Sequence, residues 1–222
     1  MAPNNKHVTN ENVYVSLAAL FCVVVVLANI IAAKLISSPF SETLPLPAGL
    51  LIYPFTFFIS NLVTELFDAT KARYMVWLSF AVSSAGYLII LTTLSLPAYN
   101  STMQHAFEHI FSLNGIMLFS SLTGFIVSQM VDVKIYEAMK RWTGENKLWL
   151  RIISSSVIAQ FVDAVIVCFG QLYIGLNLEL ALVIKLILIS YLFKGSVCIL
   201  ITPIFYAAVT STRKLIKTTG TE

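Results

Sequence analysis

The stretch RIISSSVIAQFVDAVIVCFGQLYIGL, residues 151–176, decides the fold. A helix needs about 20 apolar residues to cross about 30 Å of hydrocarbon, and this run is long enough. Upstream of it lie Lys134, Lys140, Arg141 and Lys147, with Arg151 at its edge, whereas residues 177–180 that follow it hold no Lys or Arg. The same asymmetry extends along the chain. Five further apolar stretches occupy residues 13–36, 48–67, 75–96, 111–131 and 181–209. Lys6 precedes the first, Lys71 and Arg73 separate the second from the third, and Arg213, Lys214 and Lys217 follow the last. The alternate connections, residues 37–47 and 97–110, carry no cation, and the remaining three of the fourteen, Lys34, Lys185 and Lys194, fall inside the apolar stretches. A bias of this kind orients a polytopic membrane protein with its basic loops, and here both termini, in the cytoplasm. The expected fold is therefore all-α: one transmembrane domain of six helices over residues 1–222. Its topology permits two three-helix halves of inverted orientation.

Composition agrees. Hydrophobic residues make up 58% of the chain and charged residues 11%, too few charges to cover a soluble globule of 222 residues. Six spans leave no room for a separate soluble domain, and the runs are too long and unbroken for β-barrel strands. The net charge of +3 reflects topology, so no nucleic-acid partner is expected. The first span is too long for a cleavable signal, whose apolar region runs about 7–15 residues. Cys22, Cys168 and Cys198 lie within spans and read as small apolar residues. Residues 37–47, with Pro39, Pro45 and Pro47, break the helix. His105 and His109 stand four apart, a spacing open to a metal on a helix, but no further ligand lies nearby and an interfacial helical turn is the simpler reading. Tyr136, Trp142 and Trp149 are expected as headgroup anchors.

No nucleotide-binding, zinc-protease or nucleophile-elbow motif is present, which points away from an enzyme and toward a carrier or channel. Polar residues within the spans then carry the information. Asn61 and Glu65 share one face of the second span, one turn after Phe57 and Phe58. Ser156, Gln160 and Asp163 share a face of the fifth, and Asp163 is about 18 Å from Arg151 at 1.5 Å per residue, near the midplane. Lys194 is equally deep in the sixth, Asn29 and Gln129 complete the set, and Asp132 is placed at the inner boundary. A charge at such depth costs at least about 2.5–3.5 kcal/mol and faces the bundle interior. Asp163 with Lys194 reads both as a structural ion pair and as the wall of a polar cavity, and the two readings are compatible. Glu65 reads equally as a solvated boundary charge. Lys34 and Lys185 are near helix ends, where they snorkel. Tyr53-Pro54 and Pro203 predict kinks in the second and sixth spans, of the kind that shape a substrate cavity.

At these residues the chain resembles a known family. Tyr53-Pro54-Phe55-Thr56-Phe57 with Asn61 and Glu65-Leu66-Phe67, the run from Gln129 to Tyr136, the run from Leu148 to Asp163, and Lys194 with Thr202-Pro203-Ile204-Phe205-Tyr206 are similar to the YhhQ-type queuosine precursor transporter family, also called the vitamin uptake transporter family. The resemblance covers all six spans in order. It implies import across the inner membrane of 7-deazaguanine bases such as queuine, preQ1 or preQ0 for tRNA modification. It implies no cofactor, no metal and no ATPase subunit, and it leaves homo-oligomers open. Asp163 or Glu65 would accept base N–H groups, Asn61 and Gln160 would bond the remaining polar atoms, and Tyr53, Phe57 and Phe58 would stack on the ring. Asn61 and Asp68 depart from the family, which usually has Asp and Gly at those places. Two alternatives stand beside this reading. One is the substrate-binding subunit of an energy-coupling-factor vitamin transporter, for which Ala28 and Ala32 would dock a partner helix. The other is an intramembrane enzyme or structural membrane protein.

The charge asymmetry predicts that reporter fusions after Lys140 and after Thr218 read cytoplasmic and a fusion after Asn100 reads external. An external signal from the tail would overturn the orientation.

Overall fold

A computed structural model describes residues 5–38, 41–111, 115–144 and 147–218. Helix α1 (Asn5–Ile31) leads through a hairpin of β1 (Leu35–Ser38) and β2 (Ser41–Pro47) to a short 3-10 helix (Ala48–Leu51). Then follow α2 (Pro54–Leu66), α3 (Ala69–Leu94), α4 (Ser101–Phe111), α5 (Gly115–Thr143), α6 (Leu148–Cys168) with a π-helical continuation (Phe169–Gly175), and α7 (Leu180–Thr218). Among the described residues six helical segments are long and apolar enough to cross a membrane: Asn10–Ile31, Ala48–Leu66, Ala69–Leu94, Ile116–Thr143, Leu148–Gly175 and Leu180–Thr212.

Several boundaries differ from the sequence reading, three of them for a clear local reason. The first span ends at Ile31 because residues 35–38 pair with 41–47, Leu35 opposite Pro47 and Ser37 opposite Pro45. Pro45 and Pro47 are tolerated because both strands of a two-stranded hairpin are edges. The third helix starts at Ala69, six residues early, because the Asp68 carboxylate accepts the Lys71 amide at 2.6 Å and caps it. Lys71 and Arg73 thus belong to a helix and not a loop. The fourth runs to Thr143, twelve residues beyond the apolar stretch, so Asp132 lies inside a helix and is fully buried rather than at a boundary.

Tyr53-Pro54 does not kink a continuous helix. Pro54 occupies the first turn of α2, where its missing N–H costs nothing. The second span is a 3-10 turn, a break and an α-helix. Pro203, by contrast, does lie inside α7. Gly49 in the 3-10 helix packs directly on Ala28 of α1 and on Ala32 just beyond it, and a Cβ there would overlap the Ala28 carbonyl oxygen. The small pair is therefore used within the chain, against the partner-helix expectation.

Helix α2 is the hub, buried at nearly every position from Thr56 to Glu65. Ile59 and Val63 join α1, α3 and α5 through Phe21, Met75 and Val133. Leu62 joins α5, α6 and α7 through Tyr136, Ile152 and Phe205. Large apolar side chains such as Leu88, Ile89, Leu192, Ile199 and Leu200 cover the outside, as lipid contact requires. His105, on α4, is exposed, with Nδ1 3.6 Å from Glu108; the side chain of His109 lies outside the described residues.

If the Gly49 contact fixes the hairpin and the break before α2, Gly49→Leu should separate α1 from the 3-10 turn. The expected result is a drop in thermal stability in detergent of several degrees, with Gly86→Leu, which meets open space, as the unaffected control. Equal stability of the two variants would refute this contact's role.

Candidate functional site

α2, α5, α6 and α7 enclose a column of polar side chains. Spacings of three and four place Thr56, Ser60, Asn61, Thr64 and Glu65 along α2. Ser128 meets Asp163 and Thr143 meets Arg151, so α5 and α6 run antiparallel and contribute opposite ends to each level.

One end is closed by Asp163 and Lys194. Lys194 Nζ donates to Asp163 Oδ2 at 2.5 Å, both side chains buried. The hydroxyls of Tyr53 and Ser128 donate to Asp163 Oδ1 at 2.9 and 3.4 Å, and Lys194 Nζ lies 4.8 Å from the Tyr53 ring centre. Phe57 packs edge-on to Tyr53.

The other end is closed by Glu65. Glu65 Oε2 accepts from Arg151 Nη1 at 2.9 Å and from the Tyr136 hydroxyl at 3.1 Å, with Lys140 Nζ at 3.5 Å. Arg151 Nε donates to Thr143 Oγ1 at 2.8 Å, and its Nη2 donates to the Gly144 carbonyl. Gly144 reaches that place with φ +58, a left-handed C-cap that glycine adopts freely. Lys140 also donates to the carbonyls of Thr64 and Glu65, at 3.3 and 2.9 Å, and covers the end of α2. Glu65 is thus a buried, paired acid and not a solvated boundary charge. Tyr136 is not a headgroup anchor: it is fully buried because its hydroxyl is spent on Glu65. Trp142 and Trp149 are exposed.

Between these ends the bonding is incomplete. Gln129 Nε2 donates to Thr56 Oγ1 at 2.9 Å, but its Oε1 meets no donor. Asn61 Nδ2 donates to Ser156 at 3.1 Å and Ser155 at 3.4 Å, leaving its Oδ1 unspent. Neither amide atom of Gln160 and neither oxygen of Asp132 has a hydrogen bond among the described residues, nor does Ser60 Oγ. Asp132 faces Asn61, Ser155 and Ser156 without reaching bonding geometry. All these residues are buried. Buried polar atoms are nearly always bonded, and each left unmade costs about 1–3 kcal/mol. These unspent donors and acceptors are the bonding capacity that a polar solute would use.

Of the residues singled out in the sequence, Asn61, Gln129 and Gln160 meet in this layer, while Tyr53, Asp163 and Lys194 form one closure and Glu65 the other. Phe58 lies beside it, edge-on to Phe205. Asn29 lies apart. It donates to the Val25 carbonyl, accepts from Ser121, and lines a cavity with Ser83, Tyr87 and Gln171. Asp132 and Arg151 were not among the candidates. Positions 129, 132 and 136 follow helical spacing and offered the signal, but the charges after residue 131 suggested a loop.

A family model described as "Putative vitamin uptake transporter" matches residues 47–208, which include the whole polar column. The chain belongs to this vitamin uptake transporter family. A relative in Bacillus subtilis (strain 168), "Probable queuosine precursor transporter", is 30% identical over 165 residues, 72% of this chain and 70% of that protein. No solved structure matches. The chain is accordingly a multi-pass membrane protein of a transport family, not an enzyme family. The match begins after α1, so Asn29 lies outside it.

Removing one partner of a buried pair strands the other charge, at a cost of about 3–5 kcal/mol. Lys194→Met should therefore lower the amount of folded protein in the membrane. A double variant, Asp163→Asn with Lys194→Met, should restore most of it, measured by fluorescence-detected gel filtration. A double variant no better folded than Lys194→Met would show that the pair is not the source of the loss.

Proposed function

We infer that this transporter imports 7-deazaguanine precursors of queuosine. The observation that carries the reading is the middle layer: amides with unspent atoms around a carboxylate that no cation holds, between two closed ends. A guanine-like edge presents N–H donors beside carbonyl and ring-nitrogen acceptors. Free carbonyl oxygens of Asn61 and Gln129 suit the donors, and the Gln160 amide suits both. Phe57 and Tyr53 offer aromatic surface at the Asp163 end. The roles first assigned to Asp163 and Glu65 move to this layer, because Lys194 and Arg151 already occupy those two acids. The name of the Bacillus relative supports the same substrate class.

The reading holds that the chain works without an ATPase subunit, supported by the internal use of Ala28 and Ala32. The test is uptake of labelled deazaguanine bases by cells that lack their own synthesis and carry this chain alone. Label should appear in tRNA. Label that appears only when ATPase subunits are supplied would favour the energy-coupling-factor alternative, and none at all would refute the substrate class. Gln160→Leu should reduce uptake about five- to a hundred-fold at normal expression, the loss of two neutral hydrogen bonds of roughly 0.5–1.5 kcal/mol each.

Asn61 stands where the resemblance leads one to expect an acid. Its amide suits a neutral or substituted base, and Asn61→Asp should shift competition toward the aminomethyl, cationic form. An unchanged ratio of half-inhibitory concentrations would show that this position does not read the side group.

A further inference from the structure

Three acids are buried in the polar column, and their surroundings differ in one respect. Asp163 has Lys194 at 2.5 Å and Glu65 has Arg151 at 2.9 Å. Asp132 has no cation within ion-pair distance among the described residues, although it is fully buried in the middle of a membrane-spanning helix. No neighbouring element places a bonded cation on it among the described residues. From α2 it faces the neutral amide of Asn61, and from α6 the hydroxyls of Ser155 and Ser156. From α7 the nearest titratable group is the Cys198 thiol, beside Ser156 and Gln160. On α5 itself Tyr136 is one turn along, spent on Glu65. On the next position, Val133, α5 packs against Ala72, Met75 and Val76 of α3. Along the column Lys194 offsets Asp163, while Glu65 is met by both Arg151 and Lys140, whose described bonds go to Glu65, Thr143, Gly144 and the carbonyls ending α2 and not to Asp132.

An ionised carboxylate in hydrocarbon without a partner is costly, and such residues mark proton relays and coupling sites. A neutral base brings no charge to offset it. A proton does: as a carboxylic acid, Asp132 has one O–H donor and one carbonyl acceptor, which together match the adjacent carbonyl and N–H of a guanine-like edge.

We propose that Asp132 is the coupling site of the transporter, binding one proton together with each neutral base and releasing both on the other side. A base that carries its own ammonium group replaces the proton as the counter-charge. This rests on the import of deazaguanine bases inferred above. In the step itself a proton from the external water adds to a carboxylate oxygen of Asp132. It crosses with the base and leaves from the same oxygen to the cytoplasmic water, so that one positive charge moves inward per neutral base.

The experiment uses the full chain in phosphatidylcholine vesicles, with the membrane potential clamped. Exchange of labelled nitrile base, without any gradient, reports first whether the protein carries the base. An exterior one pH unit more acidic should then concentrate that neutral base inside, up to tenfold for one proton, and a trapped pH dye should report acid entry that depends on the base. Asp132→Asn should bring the ratio of accumulation with and without the gradient to one, whatever its effect on exchange. Asp132→Glu should keep a ratio above one. The aminomethyl base should show no stimulation by the pH gradient in the wild type. Exchange with no effect of the gradient on the nitrile base would overturn the coupling and leave the import reading standing. No exchange of any base would overturn both. Equal stimulation of the two bases would overturn the counter-charge account. If neither Asp132 variant reconstitutes, the wild-type gradient measurement with the two bases decides.

Discussion

A charge inside hydrocarbon has to be neutralised where it stands, and the architecture follows from how this chain does so. Glu65 with Arg151 and Asp163 with Lys194 tie α2, α5, α6 and α7 into one bundle, each pair supported by tyrosine hydroxyls. Neither pair is strong evidence of net stability, since desolvation offsets much of the attraction. What each pair does supply is register. Arg151 reaches Glu65 only if α6 lies with its first turn against the last turn of α2, and Gly144 ends α5 at the right place for this. With both ends so fixed, the residues between them are held at a constant depth. They include the unspent atoms of Asn61, Gln129, Asp132 and Gln160.

The fold was legible because lipid imposes two simple patterns, apolar length and cation placement, and both are visible along a single chain. The helix ends were less so. Apolar length records where a helix meets lipid, whereas a helix continues for as long as its backbone is bonded. Asp68 caps α3 before the apolar run starts, and α5 continues past Val131 because Asp132, Tyr136 and Lys140 face other helices instead of water. Hydropathy does not register a charge that is buried in protein.

The site was legible in part for the same reason. Asn61, Gln160 and Asp163 are conspicuous because they interrupt apolar runs. Asp132 is not, since it follows such a run and precedes Lys134 and Glu137, where acids are ordinary. Sequence position gave Asp163 and Glu65 the part of ligand acids, and only the partners tell them apart from Asp132. Which acid has a cation is a property of three helices meeting, and no spacing along one helix contains it. Tyr136 shows the reverse error: an aromatic residue beside a basic loop suggests a headgroup anchor, yet its hydroxyl belongs to Glu65.

At the break before α2, a 3-10 turn docked on α1 through Gly49 passes through the turn at Ile52 and Tyr53 into a helix beginning at Pro54. The Tyr53 side chain, at the junction, reaches Asp163 at 2.9 Å and lies over Lys194. At the opposite end of the column Lys140 holds the terminal carbonyls of α2. The end that is bound to backbone is therefore the stiffer of the two. The Asp163 end, by contrast, is held by side-chain bonds from Tyr53, Ser128 and Lys194.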